Sequence, residues 1–139
     1  MGLETAGARP LLATLVLITL NGCALFSDGP DFATLSGEAV SETAAVPIDK
    51  DARLEVRLLD VTERRTPIAQ VSRRADDGLP VSFTLRFDRN RLDPERRYAL
   101  SAALESQGAT HYLTPAPQPV LTFDAPRDEV RLELIPVRP

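Results

Sequence analysis

The sequence predicts an all-β domain, a small antiparallel β-sandwich of seven or eight strands, behind an N-terminal signal segment. Three observations lead to this prediction. Four segments alternate apolar and polar residues with a period of two, the pattern of a half-buried strand. Turn-forming Gly, Pro and Asp residues separate the strands at intervals of roughly 10 to 14 residues, as in sandwiches and small barrels. A short apolar run near the N-terminus ends at the only cysteine of the 139-residue chain.

The apolar run covers residues 11–20 and follows Arg9. As a helix it would rise about 15 Å, only half of the ~30 Å hydrocarbon core of a bilayer. The run is therefore too short for a transmembrane helix and has the length typical of the apolar region of a signal peptide. A buried helix of a globular domain is the alternative, which the lack of a polar face disfavours.

The run ends in Leu20-Asn21-Gly22-Cys23, which resembles the lipobox of bacterial lipoproteins. We expect cleavage between Gly22 and Cys23 and lipid attachment, with palmitate-like chains, at Cys23; an ordinary secretory signal and a structural segment are the alternatives. Three acyl chains at ~0.8 kcal/mol per buried CH₂ hold a protein stably, whereas one chain does so only marginally. Ala24 stands where an inner-membrane retention signal has Asp, so resemblance to other lipoproteins implies the outer membrane, facing the periplasm.

The expected domain organisation is a lipoprotein signal peptide at 1–22, a lipidated N-terminus and tether at 23–34, and a β-sandwich domain at 35–139. The tether contains Gly29 and Pro30 between acidic residues and shows no sustained period, which is typical of an irregular linker. The mature chain is long enough to form an apolar core without disulfides or a metal.

The four strongly alternating segments are RLEVRLLDV (53–61), LPVSFTLRFD (79–88), RYALSAALES (97–106) and EVRLELIPV (129–137). We expect their apolar sets to face the core: Leu54, Val56 and Leu58; Val81, Phe83, Leu85 and Phe87; Tyr98, Leu100, Ala102 and Leu104; and Val130, Leu132 and Leu134. The third segment is rich in Ala and Leu, so a helix is the alternative on propensity. Its period of two and the turn expected at Gly108 favour a strand.

Weaker strand candidates lie between the strong ones. They are LSGEAV (35–40), PIAQVSR (67–73), THYLTP (110–115) and QPVLTF (118–123). The prolines in three of them indicate sheet edges or strand ends, because proline donates no ladder hydrogen bond. Turn residues separate the strands at 76–78, 93–95, 107–108 and 125–126.

Residues for the common catalytic and metal sites are scarce. His111 is the only histidine and Cys23 lies in the signal region, so the domain has no Cys/His pair. A serine triad would have to use His111, and the chain contains no G-x-S-x-G sequence to supply the serine. Too few His and Cys ligands are present for the usual metal sites, and DRNRLDPE (88–95) has no Gly at the loop centre and no terminal bidentate Glu at the spacing of an EF-hand calcium loop. No carboxylate spacing indicates glycoside hydrolysis. We therefore predict no enzymatic activity, no metal and no cofactor, and expect His111 to be an exposed strand residue.

The charge balance points away from nucleic acid, because the net charge is -4 and the pI is about 5.0. Paired arginines occur at 64–65, 73–74 and 96–97. Adjacent residues on a strand face opposite sides, so such a pair forms one patch only in a loop. A solvated rim is one interpretation of these pairs; contact with an acidic partner or lipid headgroups is the other.

Several segments, taken in order, resemble the YbaY/YscW family of pilotin-like lipoproteins, also called type III secretion system lipoprotein chaperones. LSGEAV is followed by LEVRLLDVT, which resembles the family's strand ending in D-V-[ST], and then by TPIAQ. GLPVSFTLRFD resembles an F-x-L-x-[YF]-D strand, and RLDPERRYALSAALES an I-x-P-x-x-x-Y-x-[LV]-x-A segment. QPVLT and VRLELIPV complete a resemblance that covers about residues 35–137.

The resemblance implies a lipid-tethered β-sandwich that, in pilotin members, binds a short segment of a secretin subunit and escorts it to the outer membrane. We accordingly expect a non-enzymatic envelope protein, an assembly chaperone or pilotin-like binder of a secretion or envelope component. The partner would place an amphipathic helix in a groove or add a strand to a sheet edge. A small-ligand or polysaccharide-binding envelope lipoprotein is the alternative, and a hydrolase is a third.

Overall fold

The computed structural model describes residues 29–43, 48, 50–121 and 127–137. The predicted signal peptide and Cys23 lie outside these residues. The described part of the chain contains nine strands and a 3-10 turn, with no α-helix: β1 (Phe32–Val40), β2 (Arg53–Asp60), β3 (Thr66–Arg74), β4 (Val81–Asp88), the turn (Arg89–Arg91), β5 (Tyr98–Ser106), β6 (Ala109–Leu113), β7 (Gln118–Val120), β8 (Val130–Glu133) and β9 (Ile135–Pro136). The all-β prediction is confirmed.

The strands form two packed sheets. The three-stranded sheet has the order β4-β1-β8, and the six-stranded sheet has the order β3-β2-β5-β6-β9, with β7 pairing β5 beyond the end of β6. All pairings are antiparallel except that of β1 with β8, which is parallel. The predicted β-sandwich is confirmed.

The alternating side chains form the core between the sheets, as predicted. Every residue of the four predicted inward sets is buried except Val81, which is half-buried. The segment RYALSAALES forms strand β5, so the helical alternative is wrong. The pairing of β5 with β2 and β6 explains this outcome. Cross-strand pairing on both sides satisfies the backbone of a segment whose composition alone favours a helix.

The segment predicted as one strand at 129–137 belongs to both sheets. Its first part, β8, pairs with Gly37–Val40 of β1, and its second part, β9, pairs with β6. Between them Leu134 is fully buried, and its N–H donates to the carbonyl of Val40 at 2.8 Å. The alternation thus indicates which residues are buried but not that the chain crosses from one sheet to the other.

Strand β1 begins at Phe32, three residues before the domain boundary expected at residue 35. The extra residues pair with β4, where Phe32 lies opposite Asp88. The N–H of Asp31 donates to Asp88 Oδ1 at 3.1 Å, and the carbonyl of Asp31 accepts from the N–H of Arg89 at 2.8 Å. These bonds extend the strand into a segment whose sequence has the features of a linker.

Candidate binding surfaces

The residues weighed for catalysis and metal binding do not converge. His111 lies half-buried in β6, where its carbonyl accepts from the N–H of Val137 at 2.9 Å. Within residues 29–43, 48, 50–121 and 127–137, no three His, Cys, Asp or Glu residues lie close enough together to hold a metal. Cys23, the predicted lipid attachment site, is outside the described residues.

The acidic residues of DRNRLDPE act as turn caps. Asp88 Oδ1 accepts from the N–H of Asn90 at 3.0 Å and so caps the 3-10 turn, while Asp93 Oδ1 accepts from the N–H of Glu95 at 2.9 Å. Short acidic side chains favour such local bonds to the backbone. The buried Tyr98 hydroxyl accepts from the N–H of Asp93 at 2.6 Å and fixes this loop to β5.

In the arginine pair at 96–97, Arg96 forms an ion pair with Asp60 at the end of β2. Arg96 Nη1 lies 2.9 Å from Asp60 Oδ2, and Asp60 Oδ1 accepts from the N–H of Thr62 at 3.0 Å. The bond from Thr62 and the neighbouring Arg96 guanidinium lower the pKa of the Asp60 carboxyl below its ordinary value. The pair at 64–65 is exposed in the loop after β2, and the pair at 73–74 ends β3.

The outer face of the six-stranded sheet carries a shallow groove along β5. Its floor consists of Ser101 and Ala103, because their neighbours at 100, 102 and 104 face the core and Ala99 is buried. One side is formed by longer side chains on β2 and the loop after it, and the other by the segment that follows β6. We call this feature the β5 groove and define it by its floor, by Glu55, Arg57, Leu59 and Arg65 on one side, and by Thr114, Pro115 and Pro117 on the other.

Two adjacent cavities of about 230 and 60 Å³ lie in the β5 groove and share Arg57 and Ser101. The larger one reaches Arg65 and Pro117, and the smaller one reaches Ala103 and Glu105. Together they follow the strand over roughly 13 Å, because Glu105 lies four positions after Ser101 and a strand rises ~3.3 Å per residue. The groove is therefore an elongated surface rather than a small-molecule pocket.

The irregular segment 114–117, between β6 and β7, forms the side of the groove that contains Pro115 and Pro117. The N–H of Thr114 donates to the carbonyl of Ala102 at 3.0 Å, and Thr114 Oγ1 accepts from the N–H of Ala102 at 3.3 Å. Four residues, 114–117, therefore lie opposite two residues of β5. The chain bulges outward at Pro115 and Pro117 and returns to pair as β7, so the groove acquires a raised side.

Strand register places an apolar patch beside the groove. Ala103 pairs with Leu113, and Leu113 pairs with Ile135, so the three lie in one row across β5, β6 and β9. Val137 follows on the same face. Among the described residues four large hydrophobic side chains are exposed, and three of them belong to this patch: Leu113, Ile135 and Val137. Exposed apolar side chains gathered on one face indicate an interaction surface.

Two further cavities lie elsewhere on the sandwich. One of about 710 Å³ is formed by the loop before β5, with Leu92, Pro94 and Tyr98 beside four charged residues of both signs, 93 and 95–97. The other, of about 560 Å³, lies against the three-stranded sheet, where Ser, Thr, Glu and Arg side chains predominate. Sequence periodicity did not indicate any of these surfaces, because each depends on which strands are neighbours.

The described residues form a β-sandwich with an elongated groove on the outer face of its six-stranded sheet. Residues 31–134 match the family described as type III secretion system lipoprotein chaperone (YscW), and the chain belongs to this family. The predicted family resemblance is confirmed. No match is found among curated proteins.

A solved structure has the same fold. The alternative pilotin from the type II secretion system of Vibrio cholerae is similar with a TM-score of 0.71 and 24% sequence identity, over 78% of this chain and 100% of that chain. The likeness establishes the shared β-sandwich. In the described part of this chain, no helix combines the length and the apolar character required to cross a bilayer.

Proposed function

We propose that this chain is a pilotin-like assembly chaperone that binds a segment of a secretin subunit and accompanies it to the outer membrane. The family match carries the proposal, because it extends over residues 31–134 and so includes every strand through β8. The shared fold with an alternative pilotin supports it. The protein acts by binding and carries out no chemical step.

Lipid attachment at Cys23 is part of this proposal. The lipobox-like sequence ending at Cys23 and the lipoprotein character of the family support it. Gly29, the first described residue, is held to the sandwich through its carbonyl, which accepts from Asn90 Nδ2 at 3.2 Å. Cys23 precedes Gly29 by six positions, a span of at most about 22 Å, so the sandwich would lie close to the periplasmic surface of the outer membrane.

Loss of the protein tests the chaperone role. In the host, deletion of the gene should reduce the heat- and detergent-resistant multimers of at least one encoded secretin in outer-membrane fractions and leave its subunits in the inner membrane. The full chain supplied in trans should restore the multimers. Unchanged amounts and location of every secretin would contradict the proposed function.

Labelling with an alkyne fatty acid tests the anchor. The wild-type chain should incorporate the label and fractionate with outer membranes, because three acyl chains give stable attachment. Cys23→Ser should incorporate none and accumulate as unprocessed precursor. Normal processing and membrane attachment of this variant would show that Cys23 is not the anchor.

A further inference from the structure

We propose that one end of the sandwich lies on phospholipid headgroups of the membrane that holds the anchor, where its exposed arginines and glutamates bind zwitterionic headgroups. We call it the tether end and define it by residues 29–31, 60–65 and 88–97. The inference rests on the lipid anchor of the proposed function. It adds the surface of the domain that meets the membrane, the side chains that contact it and the headgroup that they bind.

Strand pairing brings the loops of the tether end together. Asp60, the last residue of β2, pairs with Thr66 at the start of β3 and with Tyr98 at the start of β5. The turn after β4 is joined to the same end, because Arg91 Nη1 donates to the carbonyl of Ile68 at 2.7 Å. The loop between β2 and β3 and the loop before β5 therefore lie side by side.

The chain enters the sandwich at this end. The carbonyl of Gly29 accepts from Asn90 Nδ2 at 3.2 Å. Asp31 Oδ2 lies 3.5 Å from Arg89 Nη1. A lipid at Cys23, at most about 22 Å from Gly29, therefore holds the tether end within reach of the membrane, whereas the opposite end lies about 26 Å further along nine-residue strands such as β3.

Hydrogen bonds gather two of the three arginine pairs at the tether end. The N–H of Arg97 donates to Thr62 Oγ1 at 2.8 Å, and the carbonyl of Arg97 accepts from the N–H of Val61 at 2.9 Å. The loop that carries Arg64 and Arg65 is thereby fixed beside the loop that carries Arg97. All three arginines are exposed, and none forms an ion pair with another described residue.

The tether end carries both signs of charge in equal number, with six arginines and six acidic residues. Four aspartates are engaged by arginines or by backbone N–H groups of this end: Asp31, Asp60, Asp88 and Asp93. The exposed charged side chains that have neither an ion pair nor a hydrogen bond to another described residue are of both signs: Arg64, Arg65, Arg97, Glu63 and Glu95.

Charges of both signs complement a zwitterionic headgroup better than an anionic one. Phosphatidylethanolamine carries a phosphate and a primary ammonium group. Guanidinium groups bind phosphate oxygens in a bidentate manner, and carboxylates accept hydrogen bonds from an ammonium group. The three arginines contact the phosphates, and Glu63 and Glu95 contact the ammonium groups. Leu92 and Pro94, in the cavity of about 710 Å³ beside these charges, provide apolar surface for the acyl boundary below the headgroups.

A fluorescent label tests the orientation. Cys23 is the only cysteine, so in the lipidated protein an introduced cysteine is the only free thiol. Pro94→Cys at the tether end and Gln107→Cys at the opposite end are labelled in the lipidated protein and inserted into vesicles of equal parts phosphatidylethanolamine and phosphatidylcholine. A trace lipid carries a nitroxide on its headgroup. The label at 94 should be quenched severalfold more than the label at 107, and equal quenching would overturn the orientation.

The arginine pairs provide matched variants. Arg64→Gln with Arg65→Gln should reduce the quenching at 94 severalfold, because the phosphate contacts are lost. Arg73→Gln with Arg74→Gln changes the pair at the other end of β3 and should leave the quenching unchanged. All four residues are exposed, and thermal denaturation checks that each variant is folded. Equal losses in the two double variants would show an effect of net charge and contradict the assigned contacts.

The glutamates test the choice of headgroup. In the unsubstituted protein the quenching at 94 should be stronger in the mixed vesicles than in phosphatidylcholine alone, because a quaternary ammonium has no N–H to donate. Glu63→Gln with Glu95→Gln should lower the quenching in the mixed vesicles to the level in phosphatidylcholine. A label that is quenched equally in both lipids would reject the recognition of ammonium.

Failure of this proposal is distinguishable from failure of the proposed function. A chain that incorporates fatty acid but is not quenched at 94 would reject the lipid contact and leave the anchor and the chaperone role intact. A chain that incorporates no fatty acid would reject the anchor, and this orientation with it. If Arg64→Gln with Arg65→Gln lowers secretin multimers but not quenching, the pair contacts an acidic protein partner and the lipid contact is wrong.

Discussion

Strands β4 and β5 carry similar alternating patterns, yet their outer faces differ. On β4 the outward residues Ser82, Thr84 and Arg86 extend from the three-stranded sheet, and the Arg86 guanidinium lies 3.7 Å from the centre of the Phe32 ring. On β5 the outward residues are Ala99, Ser101 and Ala103, beside three exposed apolar side chains. The first face carries one exposed large apolar side chain among the described residues, Phe32, which lies beside a cation, whereas the second carries three next to one another.

This difference concerns the outer faces only. The inner faces of both strands are buried, and burial of each large apolar side chain contributes about 1.5 to 3 kcal/mol. On the outer face of β5, Ser101 and Ala103 are half-buried, whereas Ala99 is 2% exposed beside the buried Leu59 of β2. We infer that stability depends mainly on the inner faces, with a smaller contribution from this end of the outer face.

The largest expected effect is a difference in the free energy of unfolding between substitutions on the inner and outer faces of β5. Leu104→Ala removes a fully buried side chain of β5 and should lower the free energy of unfolding by about 3 kcal/mol, through lost burial and a residual cavity. Glu105→Ala, its exposed neighbour, should change it by less than about 0.5 kcal/mol. Urea denaturation of the two variants measures both values. A similar loss in each would refute the division between faces.

The next effect concerns the close approach of β1 to β8 at Gly37 in the three-stranded sheet. A Cβ added at Gly37 would lie 2.1 Å from the carbonyl oxygen of Val130 and 2.8 Å from Phe83 Cζ. Gly37→Ala should therefore separate β1 from β8 and cost about 2 kcal/mol. Gly29→Ala is the control, because an added Cβ there has no atom within 4 Å. Equal melting temperatures for the two variants would show that β8 shifts without cost.

The sequence predicts the inner faces well because burial imposes a period of two on each strand separately. The surface is different. The β5 groove depends on the pairing of β5 with β2 and β6, on the bulge at 114–117, and on the turn of the chain at Leu134 from one sheet to the other. These are contacts between segments distant in sequence, and no local pattern encodes them. SAALES is visible in the sequence as small residues, but only strand pairing makes it the floor of a groove.

A smaller effect on stability is expected at Asp60, the last residue of β2 in the six-stranded sheet. Asp60→Ala removes the bonds from Thr62 and Arg96 and should cost about 1 kcal/mol at neutral pH. Because the folded pKa of Asp60 is below its ordinary value, this stabilisation is present above that value, ~3.9, and is lost as the pH falls through the folded pKa. The gap between wild type and variant should therefore close below about pH 4. A gap that is the same at pH 3 and pH 7 would contradict this account.

The smallest expected effect concerns the contact between Arg86 and Phe32 on the outer face of the three-stranded sheet. Arg86→Gln removes the cation above the Phe32 ring and should cost about 0.5 kcal/mol, the magnitude of an exposed cation–π contact. Phe32 is 49% exposed, so loss of its cover should also increase binding of a hydrophobic dye to the folded protein. Arg131→Gln, an exposed change on the same sheet, serves as the control. If Arg86→Gln leaves dye binding unchanged, then the guanidinium does not shield the Phe32 ring.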